Sequence, residues 1–395
     1  MQAVSQVNTE QAHKESVSND VPSAMLTERL PNLDAIRGFA LLGIFFLNIY
    51  FMGNSFYGYP PHQPQLVVDI FWEIFSNFFL EGRFISLFSM LFGIGIYIQF
   101  RRIKAQHIEP YPIIASRAKW LIIFGAVHSI FIFSGDILLT YGVCSFLVYH
   151  YREHTPKSLI KKALIMLTVS TVFIAVISMT LEDEPFYRGS ELYQAQLEVW
   201  TGGYLGQLLM QLVMTGFMLL ILPFSTLWYC SAMMLIGIAL FQQGYLENGF
   251  RQKQLLGLLC LSLLLSSADS LLSFNESAVL VELSNVLMTL SAIPMAMIYL
   301  HIIVKVCKNN ANILVPLQSV GRLALSLYIL QSIVGIMCFR HVFPQWQSQF
   351  DRADYMLFAL AFSLMQVLIA FLYLQFFKQG PLEYLLRHLI NKKQA

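Results

Sequence analysis

Apolar runs long enough to cross a bilayer alternate with short polar segments along most of the chain. The exception is the start: residues 1–28 are polar, lack hydrophobic periodicity and read as a loose disordered tail. The first long apolar run covers 33–52. Its length suits a bilayer and exceeds the short core of a secretory signal. Further spans fall at 84–100, 118–134, 137–150, 159–181, 208–241, 255–272, 279–304, 314–339 and 355–377. The predicted fold class is all-α: a polytopic transmembrane bundle of about ten spans, forming one integral-membrane domain over 29–395. The segment 67–80 is apolar but is cut from the next span by Glu81 and Arg83, so it reads as interfacial or re-entrant. The run 208–241 exceeds one straight crossing, and Pro223 is placed to kink or break it.

Positive charge gives the pattern a direction. Arg101, Arg102, Lys104, Arg117 and Lys119 precede the third span, and Arg152, Lys157, Lys161 and Lys162 follow the fourth. Arg251 with Lys253, Lys305 with Lys308, and Lys378, Arg387, Lys392 and Lys393 complete five basic loops on one side of the ten-span arrangement. The opposite loops are poor in Lys and Arg: 54–66 has none, and 182–207 is acidic. The positive-inside rule then makes both termini cytoplasmic. The 54–65 segment, rich in aromatics and proline, reads as an ordered outer loop. Tyr187, Tyr193, Trp200 and Tyr204 read as headgroup-level aromatics.

Composition narrows the function classes. Charged residues make up 12% of the chain against about 25% for a soluble domain, and mean hydropathy is +0.60. Net charge of +2 leaves no broad basic face for nucleic acid. Five scattered cysteines without a CxxC pair make neither a disulfide framework nor a zinc site, and no metal-ligand pattern is present. Walker, dinucleotide, HExxH and GxSxG motifs are missing, so ATP-driven transport and soluble-type hydrolysis have no support.

Polar residues inside the apolar spans carry the candidate chemistry, because charge at bilayer depth is costly. Asp34 and Arg37 share a helical face at the start of the first span, as a helix-start ion pair or as part of a binding site. His128 lies in the third span, with Asp136 at the outer turn eight residues on, beyond Gly135 at a tight turn. Two turns of helix would put both on one face, as a packing histidine or as a base held by a carboxylate. Arg322, Ser326 and Gln331 are spaced to line a cavity. Asp269, Asn48 and the loop residue His62 are weaker candidates.

Five segments in order, RLPNLDAIRGFALLGIFFLNI, FLEGRFISLFSMLFGIGIYIQFRR, RAKWLIIFGAVHSIFIFSGDILLTYG, GRLALSLYILQS and FFKQGPLEYLLR, resemble the signatures of bacterial YeiB-like proteins, the domain of unknown function 418. The resemblance covers the chain from about Leu30 onward. Its start is similar to integral-membrane acyltransferases of the heparan-glucosaminide N-acetyltransferase and polysaccharide O-acyltransferase kinds. It implies an acyltransferase-like half at 29–200, a second half at 205–395, and location in the bacterial inner membrane. It also implies acyl-CoA as co-substrate, with no bound cofactor, and an envelope glycan or small molecule as acceptor. Asp34, Arg37 and Gly38 match the Asp-x-x-Arg-Gly pattern. Asn48 stands where the polysaccharide O-acyltransferases place a catalytic His. His128 belongs to the YeiB-like signature and is the expected base, held by Asp136, with His62 as the alternative. Substrate contacts are expected at Asp34, Arg37, Asn48, Arg322 and Gln331. The rival expectation is a carrier with a path through His128, Asp136, Asp269 and Arg322. Partners beyond the lipid bilayer and the oligomeric state stay open.

Overall fold

A computed structural model describes residues 30–180, 186–275 and 277–391; the amino-terminal tail, Glu182–Glu184, Lys392 and Lys393 lie outside them. The described chain is helical, without strands apart from one isolated bridge between Ser55 and Gly58. Fifteen helices carry the architecture: α1 (Pro31–Met52), α2 (Val67–Phe79), α3 (Arg83–Ala105), α4 (Pro110–Phe131), α5 (Leu138–His150), α6 (Pro156–Thr180), α7 (Glu191–Thr201), α8 (Tyr204–Ile221), α9 (Thr226–Gln242), α10 (Gln252–Leu272), α11 (Ala278–Asn309), α12 (Val315–Arg322), α13 (Ala324–Ile336), α14 (Arg352–Phe376) and α15 (Pro381–Asn391). Among the described residues, nine apolar segments are long enough to cross a membrane. The chain is therefore an all-α multi-pass membrane bundle.

Local chemistry sets several boundaries. α1 and α4 open on proline, whose missing N–H costs nothing in the first turn. Ser190 caps α7, and Asp351 with Asp354 makes a reciprocal cap at the start of α14. Near its amino-terminal end, α1 crosses α12 at backbone distance. A Cβ on Gly38 would lie 2.0 Å from the carbonyl oxygen of Leu317, and one on Gly321 would lie 1.9 Å from that of Asp34. This is the close packing of small residues by which helices associate in lipid.

Three spans depart from simple rods. The run 208–241 is two helices, α8 and α9, with Pro223 in the break and its carbonyl accepting from Trp228 Nε1 at 2.7 Å. The 314–339 span is α12 and α13, separated at Leu323, followed by a π-helical turn at Met337–Val342. α2 is a separate helix that turns into α3 through Gly82, at φ +71°. The aromatic expectation for 187–204 divides: Tyr204 is exposed, but Tyr193 and Trp200 are buried, Trp200 against the Arg340 guanidinium at 3.8 Å.

The loops sort into two ends. At one end Lys104 pairs with Glu153, Gln242 donates to the His154 carbonyl, Lys308 to Asn248, and Arg322 to the Lys378 carbonyl. At the other, Arg188 reaches the carbonyls of Pro60 and Ser348, and Arg340 those of Phe51 and Met52. The basic loops thus gather at one end, as their charge pattern predicts. Reporter fusions after Lys162 and after Tyr193 are expected to read opposite sides of the membrane, the first cytoplasmic. Identical readings would overturn that orientation.

Candidate active site

The site begins with a helix that stops in time. α4 ends at Phe131, and the His128 carbonyl accepts from both Ile132 and Phe133 N–H at 2.9 Å, which closes the last turn. The chain then reverses through Ser134 and Gly135. Asp136 Oδ1 accepts from the Leu139 N–H at 2.8 Å, at the start of α5, and Oδ2 meets His128 Nδ1 at 2.8 Å. The pair therefore closes across the turn expected at Gly135, rather than along one helical face as the eight-residue spacing implied. Gly125 makes the approach possible: a Cβ there would lie 2.4 Å from Asp136 Oδ1.

Both side chains are sealed, at 2% exposure for His128 and 1% for Asp136. An ionised carboxylate only accepts, so the network assigns the proton to Nδ1 and leaves Nε2 with a lone pair. Nε2 is buried and has no hydrogen-bond partner. A buried polar atom of this kind calls for an explanation in water, strain or chemistry. α8 braces the turn: Ser129 bonds Thr215 at 2.8 Å, and Gln211 accepts from the Ser134 N–H and donates to the Ile132 carbonyl.

A cavity of about 850 Å³ lies beneath this pair. Its mouth, at the basic end, carries Arg37, Arg102, Arg117, Arg322 and Arg387 against the carboxylates of Asp34 and Glu383. Arg37 and Asp34 form a 3.0 Å ion pair, and Arg117 donates to Gln99 at 2.8 Å. Farther in, the lining turns apolar, with Leu41, Ile44, Phe88 and Leu121. From Leu30 to Ile44, α1 runs along the wall for roughly 20 Å. Ile137 and Tyr328 belong to the inner wall and also to the surroundings of the His–Asp pair. The Tyr328 ring lies 5.3 Å from that of His128, and its hydroxyl accepts from the Ile137 N–H at 3.3 Å. Tyr328 thus stands between cavity and imidazole. Sequence reading passed over it because a tyrosine in an apolar span is ordinary.

The other expected residues divide. Asp34, Arg37 and Arg322 line the cavity. Asn48 continues the α1 face of Arg37, Leu41 and Ile44 and is half-buried. Gln331 does not line the cavity: its amide is held by Gln366 at 2.9 Å and the Leu41 carbonyl. Ser326 instead bonds Glu383, whose carboxylate also accepts from the Leu325 and Ser326 N–H groups and so ties α15 to the start of α13.

His62 sits at the opposite end, 2.9 Å from Asp351. With Asp69 these residues bring one ligand atom each within 4.8 Å of one another. Their oxygens are already engaged: Tyr59 donates to Asp69 at 2.6 Å, the Arg352 N–H to Asp69, and Arg188 pairs with Asp351. Burial and the Asp69 carboxylate push the Tyr59 phenol well above its usual range, so it remains a donor. The arrangement locks outer loops together. Asp269 is buried on α10 one turn beyond Ser266, which Arg83 reaches at 2.8 Å, while Arg322 lines the cavity mouth and His128 pairs with Asp136, so the carrier path divides among three places.

Comparison with known proteins agrees with this layout in extent. Residues 240–393 match the family described as "Protein of unknown function (DUF418)". The chain is 26% identical to the uncharacterized protein YxaH of Bacillus subtilis, across 92% of this chain and 94% of the relative. It is also 26% identical to the uncharacterized protein YeiB of Escherichia coli, across 92% and 96%. A 39.9 kDa protein encoded 3′ of an amylase in Bacillus acidopullulyticus is 33% identical over 40% of this chain and 43% of its own length.

Proposed function

We propose that this chain, a YeiB-like protein of the DUF418 family, is an inner-membrane acyltransferase. It moves an acyl group from cytoplasmic acyl-CoA to a hydroxyl or amine of an envelope glycan or small acceptor. The observation that carries this reading is the arginine-mouthed cavity whose inner wall abuts a buried His–Asp pair with one free imidazole nitrogen. Guanidinium groups suit the phosphates of the donor, and the apolar throat suits its uncharged arm. His128 Nε2 takes the acceptor proton as the acceptor oxygen or nitrogen attacks the thioester carbonyl. The tetrahedral intermediate then expels the CoA thiolate, which recovers that proton from the imidazolium. Asp136 holds the tautomer and balances the imidazolium charge, as in Ser-His-Asp triads. Asn48, one turn beyond Ile44 on the α1 face that lines the cavity, is the amide assigned to the oxyanion. For the donor to meet Nε2, the Tyr328 side chain has to rotate.

The test uses purified protein in nanodiscs with radiolabelled acyl-CoA, read as free CoA and as acylated acceptor. CoA release that needs an acceptor extract supports the reading, and neither release nor binding of a non-hydrolysable analogue would overturn it. Within it, Arg37→Lys is expected to weaken analogue binding roughly 10–100-fold, because an ammonium cannot make the two-pronged phosphate contact. Calorimetry with unchanged affinity for both Arg37→Lys and Arg37→Ala would leave Arg37 only its ion pair with Asp34.

A further inference from the structure

α8 is an apolar helix with one polar row. Leu205, Leu209, Leu212, Val213 and Leu220 are exposed on it, while its buried positions are Gln207, Gln211 and Thr215, spaced four apart along one stripe. Leucine facing lipid does not fix how such a helix is seated against its neighbours. Hydrogen bonds from a buried row do, because the groups they meet have no water to turn to.

Each member of the row has a partner. Gln207 donates to the carbonyls of Trp200 at 3.1 Å and Gly202 at 3.0 Å, which ties the start of α8 to the end of α7. Thr215 meets Ser129 at 2.8 Å. Between them, Gln211 grips one chain reversal from both sides: it accepts from the Ser134 N–H at 2.8 Å and donates to the Ile132 carbonyl. Tyr204 donates to the Phe131 carbonyl at 3.3 Å. The last carbonyls of a helix have no partner within it, so α8 supplies from outside what the end of α4 cannot. The gripped segment lies between the two members of the His–Asp pair. The Ile132 N–H donates to the His128 carbonyl, and only Gly135 separates Ser134 from Asp136, whose Oδ2 is 2.8 Å from His128 Nδ1.

We propose that Gln211 is a positioning residue for His128. By fixing the 132–134 reversal it holds the Asp136 carboxylate against Nδ1, which keeps the proton on that nitrogen and the lone pair on Nε2. Without that carboxylate in place a neutral imidazole can hold its proton on either nitrogen. The effect on catalysis rests on the acyl-transfer reading; the effect on the tautomer does not.

The full chain with ¹⁵N-labelled histidine is placed in nanodiscs, and the His128 signal is identified by its loss in His128→Gln. The wild type is expected to show a proton-bearing Nδ1 and a bare Nε2. Gln211→Met, which removes both hydrogen bonds and keeps the bulk, is expected to draw the two resonances together as the tautomers mix. Gln207→Met is the control: it loosens α8 one turn earlier, away from the reversal, and should leave the His128 signal as in the wild type. If Gln211→Met does not fold, Gln211→Asn, one methylene short, is expected to show a partial mixture. Transfer assayed alongside is expected to fall about a hundredfold in kcat, as for a misplacement of about 1 Å, with KM for the donor unchanged because other helices line the cavity. A wild-type His128 signal in the folded Gln211 variant, or the same mixing in Gln207→Met, would overturn the proposal. Absence of transfer in the wild type would instead sink the acyl-transfer reading and leave the tautomer result standing.

Discussion

His128→Ala is expected to abolish acyl transfer while the protein inserts, purifies and elutes as the wild type does. A positioned base contributes roughly 10²–10⁴-fold, far beyond any change in yield. The decisive comparison is His128→Gln, which keeps much of the size and hydrogen bonding but cannot titrate. A packing histidine tolerates that change; a base is expected not to, and the unpartnered Nε2 of His128 is the atom on which the proposed role depends. Asp136→Asn should also be impaired, since an amide can present its N–H to Nδ1 and fix the wrong tautomer. An active, stable His128→Gln variant would sink the assignment and leave His62, already bound to Asp351, as a poor substitute.

The second large effect is structural. Gly38→Leu, or Gly321→Val, is expected to prevent the α1–α12 crossing, because the atoms in the way are backbone carbonyls and cannot move aside as a side chain does. Overpacking of a tight core typically costs about 1–3 kcal/mol, and a rigid backbone contact exceeds that. Size-exclusion and thermal melts in detergent would show an aggregated or early-melting protein. Gly257→Leu is the control: that glycine lies on α10 with nothing nearby, and its substitution should be neutral. A Gly38→Leu variant with a wild-type profile would contradict the crossing. Gly38→Ala already places a Cβ 2.0 Å from the Leu317 carbonyl oxygen, so it too is expected to melt early and to change how far Arg37 and Arg322 stand apart at the cavity mouth.

Much of this was legible in the chain. Hydropathy placed the helices, and loop charge sorted the ends, because a bilayer imposes length and charge rules that need no knowledge of packing. The His128–Asp136 pair and the turn at Gly135 were both legible, but not that the pair closes across the turn, since the chain reversal is fixed by Gln211 of a distant helix. Gln331 and Ser326 looked like cavity residues because polar side chains in apolar spans look alike. Whether one faces a void or a neighbouring amide depends on which helix arrives opposite it. Arg83 was read as a boundary because it interrupts an apolar run. Only the approach of α10 and α11, with serines where their other faces carry leucine, shows that it is buried.

The α1–α12 crossing also constrains how the protein is made. The Leu41 carbonyl of the first helix accepts from Gln331, 290 residues later in the chain. At about 5–20 residues per second, the ribosome needs roughly 15–60 s to deliver that partner. Through that interval the Gly38 face of α1 has no α12 to pack against, so the first helix is inserted long before the surface it is shaped for exists.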